Sequence, residues 1–400
     1  MEQVLKAQEA ERKIRKRIET AFGLCILNGE AVTEARQLWE EAFPEVSKDF
    51  LDYYFEQRVK DNIVFAIKND TIQSILHLTP YSAAMRRNPP LPGAGRLPCM
   101  ADVLRVDTNV IHAAATQKAY RNQGYMRKVL TGALEYQRER QIPFCLAEPE
   151  NGEFFEHFGF HYIYDRPQYE LNTEIISMQM LKRAADGETV HLNPSNITLT
   201  AADKDSLLSL AHFVNANLCR HYGLFNIRSA AYYERFLSEL QTYGGNLYQI
   251  MENGKRKGYF AYTQEKECSI REAVFENESD IDRYFYTTKG RKPAVMARIV
   301  NLPEILKHVA AHGKVTIAIR LKDSVIAEND GLFLWYLDEK GSRMERVEET
   351  KQSEETSMRP EVTVTIGEFT AFLFEYIKLK QNMKFDSIYL SGPAWINERY

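Results

Sequence analysis

Apolar positions along this 400-residue chain switch between helical and strand spacing, and the order of the switches sets the first expectations. Near the N-terminus Val4, Ala7, Ile14, Ile18 and Ala21 fall on one face of a charged helix, a face interrupted by Glu11. That pattern predicts a helix docked on its own chain or on a neighbouring subunit. Ala35, Leu38, Trp39 and Ala42 then recur at helical spacing over 34–42, and Pro44 ends the helix. Residues 49–59 repeat the period through Phe50, Leu51, Tyr54, Phe55 and Arg58. Strands follow over 63–67 and 72–78, with Asn69-Asp70 as the hairpin turn between them.

After a Pro/Gly/Arg-rich loop at 86–98, a strand over 103–115 runs into a polar turn and a helix over 125–140. A buried strand (144–147), a short helix (152–158) and a strand (160–164) close a first unit near residue 170. A mixed sheet flanked by helices is the architecture this order predicts. Residues 186–275 repeat the outline weakly: a strand at 197–199, helices at 203–218 and 229–240, and strands at 247–252 and 258–263 around Asn253-Gly254. From about 290 the texture changes to a short helix (305–311), alternating strands (315–321, 331–338), a charged exposed stretch (348–355), a strand (362–366) and a helix (368–378). The reading is α/β followed by α+β, in three domains spanning 1–170, 171–289 and 290–400.

Composition narrows the function classes only a little. Lys and Arg number 51 against 55 Asp and Glu, a net charge of −4, so nothing calls for nucleic acid or an anionic membrane surface. No stretch approaches a membrane span, and the charged N-terminus lacks a signal-peptide core. Five scattered cysteines (Cys25, Cys99, Cys145, Cys219, Cys268) lie at no metal-binding spacing, so free thiols in a reducing cytoplasm are expected.

The chemistry concentrates between His112 and Arg127, where an apolar strand ends in Ala113, Ala114, Ala115 and Thr116 and a polar turn opens a helix. Amides at a helix N-terminus lack intrahelical partners, and the helix dipole adds partial positive charge, so such a turn suits a pyrophosphate. Arg121, Arg127 and Lys128 add full charges, and Gly124 allows close backbone approach. The bland alternative is a helix start with solvated basic residues, and small core residues for the alanines.

The stretch Ala115-Thr116-x3-Tyr120-Arg121-x2-Gly124-Tyr125-Met126 is similar to the acetyl-CoA motif of the GNAT superfamily of N-acetyltransferases. Phe154-Phe155-x2-Phe158-Gly159-Phe160, about 30 residues on, resembles that superfamily's closing motif beside the cofactor thiol. From about residue 30 the whole chain resembles the Eis (enhanced intracellular survival) type: a GNAT domain, a degenerate second GNAT-like domain, and a sterol-carrier-protein-like domain with an aromatic-ended tail, Pro393-Ala-Trp-Ile-Asn-Glu-Arg-Tyr400.

The resemblance implies acetyl-CoA as co-substrate. Ala113 to Thr116 would pair with its pantetheine arm, the amide of Ala113 or Ala114 would support the oxyanion, and Arg121, Asn122, Gln123, Gly124, Tyr125, Met126 and Arg127 would lie at the pyrophosphate. A small amine would attack the thioester directly, its proton taken by the terminal carboxylate of Tyr400. The family's acid tyrosine falls on Phe155, which has no proton to give; Tyr162, Tyr164, His157 and His161 are the nearby substitutes. Glu40, Glu41 and Glu398 are candidates for an acidic acceptor pocket, with plain surface exposure the alternative. The resemblance further implies a homo-oligomer, with a hexamer as the form it suggests. Two competing readings are a pseudoenzyme that binds acetyl-CoA without transfer and a lipid-binding protein built on the third domain.

Overall fold

The computed structural model describes residues 2–27, 29–88, 98–264, 268–287, 289–348, 359–379 and 384–397. The first unit holds helices α1 (Glu2–Phe22), α2 (Glu34–Ala42), α3 (Lys48–Tyr53), α4 (Tyr125–Glu139) and α5 (Gly152–Glu156). Its strands are β1 (Cys25–Leu27), β2 (Ile63–Lys68), β3 (Ile72–Arg86), β4 (Val103–Thr116), β5 (Phe144–Ala147) and β6 (His161–Pro167). Side chains alternate along β2: Phe65 packs with Leu76, Val129 and Phe155 under α4 and α5, while Val64 and Ala66 pack with Trp39, Phe50 and Tyr54 under α2 and α3.

Later parts of the chain complete this sheet. Strands β7 (Leu224–Asn226), β8 (Arg291–Ile299) and β9 (Ala394–Trp395) bring it to nine, in the order β1-β2-β3-β4-β5-β8-β6, with β7 beside the second half of β3 and β9 beside β7. Strand β8 begins just past the boundary expected at 290, so that segment joins the first sheet before building its own. From Val295 to Ile299 every residue is buried, so the strand shows no alternation by which to be read.

The long helix α1 docks through its middle and its C-terminal half. Ile18 is buried, while Val4 and Leu5 are each 59% exposed. Glu11, which breaks the apolar face in the sequence, accepts hydrogen bonds from Tyr136 Oη and, at 2.6 Å, from Arg140 of the α4 end. The helix expected over 49–59 is α3 followed by a π-helical turn at Tyr54–Arg58 and a 3-10 turn at Val59–Asp61. The wider turn buries both Tyr54 and Arg58.

In the middle of the chain, α6 (Leu207–His221) and α7 (Ala230–Gln241) pack against the second half of β3 and the first half of β4. Behind them a five-stranded sheet runs Cys268–Phe275, Lys255–Gln264, Asn246–Glu252, Ile197–Ala201, Val190–His191. Asn253 and Gly254 both have positive φ (49° and 76°), as a two-residue hairpin requires.

The last segment forms a four-stranded sheet ordered Gly341–Arg346, Gly331–Asp338, Val315–Lys322, Val362–Thr365, covered by the helix Ile366–Leu373. Trp335 and Phe369, both fully buried, meet at its centre with ring centroids 5.2 Å apart. Two expectations here need correction. The helix expected over 305–311 is Leu302–Leu306, started three residues earlier by Asn301 as cap and Pro303, and Ala310–Ala311 is a strand paired with Ile388–Tyr389. The helix expected over 368–378 starts at Ile366, fixed by the Thr365–Glu368 capping box, and ends at Leu373. The charged stretch at 348–355 lies outside the described residues after Glu348.

Candidate active site

Strand β4 positions the site. On one side it pairs antiparallel with β3 along nearly its whole length. On the other it pairs parallel with β5 only from Asn109 to Ile111, opposite Cys145 to Ala147, and beyond that the two strands part. In the parted stretch the β3–β4 register slips between Ile75 and His77, leaving an extra residue on β4, and Ala113 takes φ 44°. A β-branched residue would be strained there, and alanine is tolerated at a modest cost. The bulge turns successive side chains to opposite duties. Ala113 and Ala115 pack on the Trp39–Tyr54 side, while Ala114 packs on the side of α4 and Phe155. Backbone groups of 112–116 have no strand partner toward β5 among the described residues.

The turn after β4 is held by its own side chains. Arg121 Nε donates to Thr116 O at 3.1 Å, and Gln123 Nε2 donates to Ala119 O at 3.0 Å. Asn122 and Gly124 have φ of 61° and 80°, and Gly124 is the N-cap of α4, so no side chain caps the first amides of that helix. A Cβ on Gly124 would meet nothing within 4 Å, so the demand for glycine there comes from the left-handed backbone.

These pieces enclose a cleft of about 620 Å³. Ala114, Ala115, Thr116, Arg121, Asn122, Gly124, Tyr125, Met126 and Arg127 line one wall, and Glu150, Phe154, Phe155, His157 and Phe158 the other, with Ala42 and Phe43 at the end of α2. The sequence-predicted cofactor residues thus meet in one place, apart from Ala113, which faces the other side of the bulge, and Gln123, which braces the turn. Arg127 bridges the walls, its guanidinium 4.9 Å from the Phe158 ring centroid. That ring is itself placed by a buried ion pair from later segments: Arg298 donates to Phe158 O and to Asp323 at 2.5 Å, both side chains wholly buried. Removing one partner of such a pair costs about 3–5 kcal/mol.

Phe155 sits on the far wall, its ring 5.3 Å from Phe154 and 5.4 Å from Phe160, and supplies packing only. Among the substitutes for a proton donor, the exposed His157 lines the cleft; the other three point elsewhere. Tyr162 rests its hydroxyl on Gly152, where a Cβ would meet it at 2.3 Å. Tyr164 Oη donates to Asn397 at 3.4 Å, and the His161 ring lies beside Tyr376. Glu40 is exposed and pairs with Arg36 at 2.8 Å, and Glu41 is exposed and accepts from Gln37 at 3.2 Å; neither reaches the cleft. Glu398 and Tyr400 lie outside the described residues. Sequence reasoning missed Ala42, Phe43 and Glu150, which carry no motif and arrive through the ends of neighbouring elements.

The described tail ends against the first sheet. β9 runs parallel to β7, pairing Ala394 with Leu224 and Trp395 with Phe225. The Trp395 ring centroid lies 5.4 Å from the Arg228 guanidinium, which is ion-paired with Glu272 at 2.9 Å in complete burial. Asn397 reaches Tyr164 on β6.

No protein-family model matches the sequence, and no curated protein matches it. Solved structures do share the fold. A conserved protein of unknown function from Enterococcus faecalis, described as a probable N-acyltransferase, superposes with TM-score 0.66 at 15% identity, over 94% of this chain and 99% of its own. A GCN5-related N-acetyltransferase from Anabaena variabilis gives 0.66 at 14% identity, over 94% and 100%. Eis1 from Mycobacterium abscessus gives 0.63 at 11% identity, over 94% and 100%. The likeness covers all three segments. No described helix is long and apolar enough to cross a membrane.

Proposed function

We propose that this chain is an N-acetyltransferase that moves the acetyl group of acetyl-CoA to an amine by direct attack in a ternary complex. The observation that carries the reading is the cleft itself. A strand parted from its neighbour at a bulge, an uncapped helix start with two arginines, and an aromatic far wall meet in one cavity. The pyrophosphate would lie on the amides of Tyr125 to Arg127 between Arg121 and Arg127, and the pantetheine arm would run along 114–116 as an added strand. The thioester oxygen would then face the Ala113–Ala114 amides as it gains charge. The shared fold with structures described as N-acetyltransferases agrees with this and does not by itself identify the acceptor.

On the acceptor side we assign the Tyr400 carboxylate as a proton acceptor, because the tail is docked into the first sheet up to Asn397. Phe155 takes no part in proton transfer, and the leaving thiolate is protonated from solvent or His157. Acceptors in view are small amines: aminoglycosides, polyamines or a lysine side chain. The remaining assignments carried from the sequence are an Eis-like subtype, a degenerate GNAT-like middle unit, a sterol-carrier-like last unit, and a homo-oligomer. Release of free thiol from acetyl-CoA against a panel of such amines tests the reading, with the native chain beside one extended by a single residue after Tyr400. Amine-dependent release, sharply reduced by the extension, is the expected result. Acetyl-CoA binding with no amine-dependent release would leave a binding protein instead.

A further inference from the structure

Where the middle unit meets the first sheet lies a second cavity, of about 210 Å³, that shares no lining residue with the cofactor cleft. A water molecule takes about 30 Å³ of liquid, so the space holds several waters or one small molecule. Its inner lining is apolar and aromatic. Leu218 near the end of α6, Phe275 on the strand Cys268–Phe275 and Trp395 on β9 are all buried. The half-buried Tyr169 and Tyr222 continue this lining outward, with the Tyr222 ring centroid 6.4 Å from that of Trp395.

The outer lining carries charge of both signs. Arg291 at the start of β8, Glu278 and Asp282 are exposed there, alongside His221 and Thr287. Arg291 Nε and Nη2 both donate to one backbone oxygen, Asp165 O, at 3.1 and 2.9 Å. That clamp fixes the guanidinium without neutralising it and leaves its Nη1 end open. Among the described residues neither Arg291 nor Asp282 has an ion-pair partner, so these two opposite charges line one cavity without neutralising each other. Glu278 accepts from Tyr222 Oη at 3.0 Å. Burial first, then the Glu278 charge, push the Tyr222 phenol up, so it stays a donor to that carboxylate.

We propose that this cavity is a binding site for a free α-amino acid with an apolar side chain. The ligand carboxylate meets the open end of the Arg291 guanidinium, whose planar set of N–H groups suits a carboxylate. The ammonium faces Asp282 and Glu278, and the two tyrosine rings beside them favour a cation. The side chain fills the aromatic interior, where burial of apolar surface adds affinity. A ligand with a single charge leaves one side of the rim without a counter-charge, whereas a zwitterion answers both. The inference stands apart from the acetyl-transfer reading, because no residue of the cofactor cleft takes part in it.

The test is calorimetric titration of the full chain, without acetyl-CoA, against L-phenylalanine, phenethylamine, 3-phenylpropionate and glycine. Phenylalanine carries both charges and the ring, and each of the others lacks one of these. Phenylalanine is expected to bind about tenfold or more tighter than any of them, since each omission loses a charge-assisted hydrogen bond or the apolar contact. Arg291→Gln should weaken phenylalanine and 3-phenylpropionate and leave phenethylamine unchanged. Asp282→Asn should weaken phenylalanine and phenethylamine and leave 3-phenylpropionate unchanged. Both positions are exposed, and thermal melting checks that the variants fold; if Arg291→Gln does not, Asp282→Asn decides. An absence of phenylalanine binding overturns the assignment. So does equal affinity for phenylalanine and phenethylamine, which would make the cavity a site for organic cations. Phenylalanine binding indifferent to both substitutions overturns it too, because the amino acid would then sit elsewhere on the chain.

Discussion

Two strand-to-helix turns in this chain solve the same problem in opposite ways. Where Ile197–Ala201 leads into α6, Asp203 Oδ1 accepts from the Ser206 amide at 2.9 Å, and Ser206 Oγ accepts from the Asp203 amide at 3.0 Å. That reciprocal box closes the 3-10 turn Lys204–Ser206 through which the chain enters α6, and it sets a carboxylate where an anion would otherwise sit. Where β4 leads into α4, the cap is Gly124 at φ 80°, no side chain closes the amides, and Arg121 and Arg127 flank them. On the proposed reading, the open helix start is the one free to take an anion, and its motif residues would matter through that omission as much as through their charge.

The sharpest way to break the contrast is to close the open turn. Gly124→Asp is expected to weaken acetyl-CoA binding at least about 100-fold, since a like charge facing the pyrophosphate costs several kcal/mol and each 1.4 kcal/mol is tenfold. Gly124→Asn keeps a residue that tolerates the left-handed backbone and adds no charge, so it should lose only a few-fold. Equal losses in the two variants, read by calorimetric titration, would mean that backbone shape rather than charge governs the turn.

A smaller effect isolates one cation. Arg127→Ala removes both a charged donor and the stack on Phe158, and charge-assisted hydrogen bonds contribute about 1.5–3 kcal/mol. A roughly tenfold or greater rise in the acetyl-CoA Kd is expected, with thermal stability nearly unchanged. An unaltered Kd would move the pyrophosphate away from the start of α4.

How much of this was legible in the sequence follows from what each residue is paid attention by: near neighbours or distant ones. Helix α2, strand β5 and the hairpin at Asn253-Gly254 are set by local spacing and turn chemistry, and they stand where the periodicity puts them. The open turn before α4 was readable for the same reason, since Arg121, Gly124 and Arg127 lie close together in sequence. Strand β8 was not, because burial on both faces erases alternation. The cross-strand pairing of His77 with His112 was invisible too: 35 residues separate them (112 − 77), and only the β3–β4 register brings them together. Tyr54 and Arg58 were read on the repeating face with Phe50 and Leu51, and both are buried, but in a π-helical turn that the spacing alone does not distinguish from an α-helix. Glu40 and Glu41 show the converse, for their charge suggested a pocket while the helix they sit on turns them to solvent.

The smallest expected effect comes from opening the closed turn. Asp203→Ala removes one half of the box: the Ser206 amide loses its acceptor, while the Ser206 hydroxyl keeps its bonds to the backbone of residue 203. Losses of this kind run about 0.5–2 kcal/mol, typically near 1. Because the site is exposed and the chain has several units, the effect belongs in local opening, where it is read as faster amide hydrogen exchange over the first turn of α6. No acetyl-CoA binding should appear there, because an open helix start still lacks a parted strand and flanking arginines. If the variant did gain a second binding event, the cap alone would have separated the two turns, and the bulge in β4 would lose its place in the argument for the first.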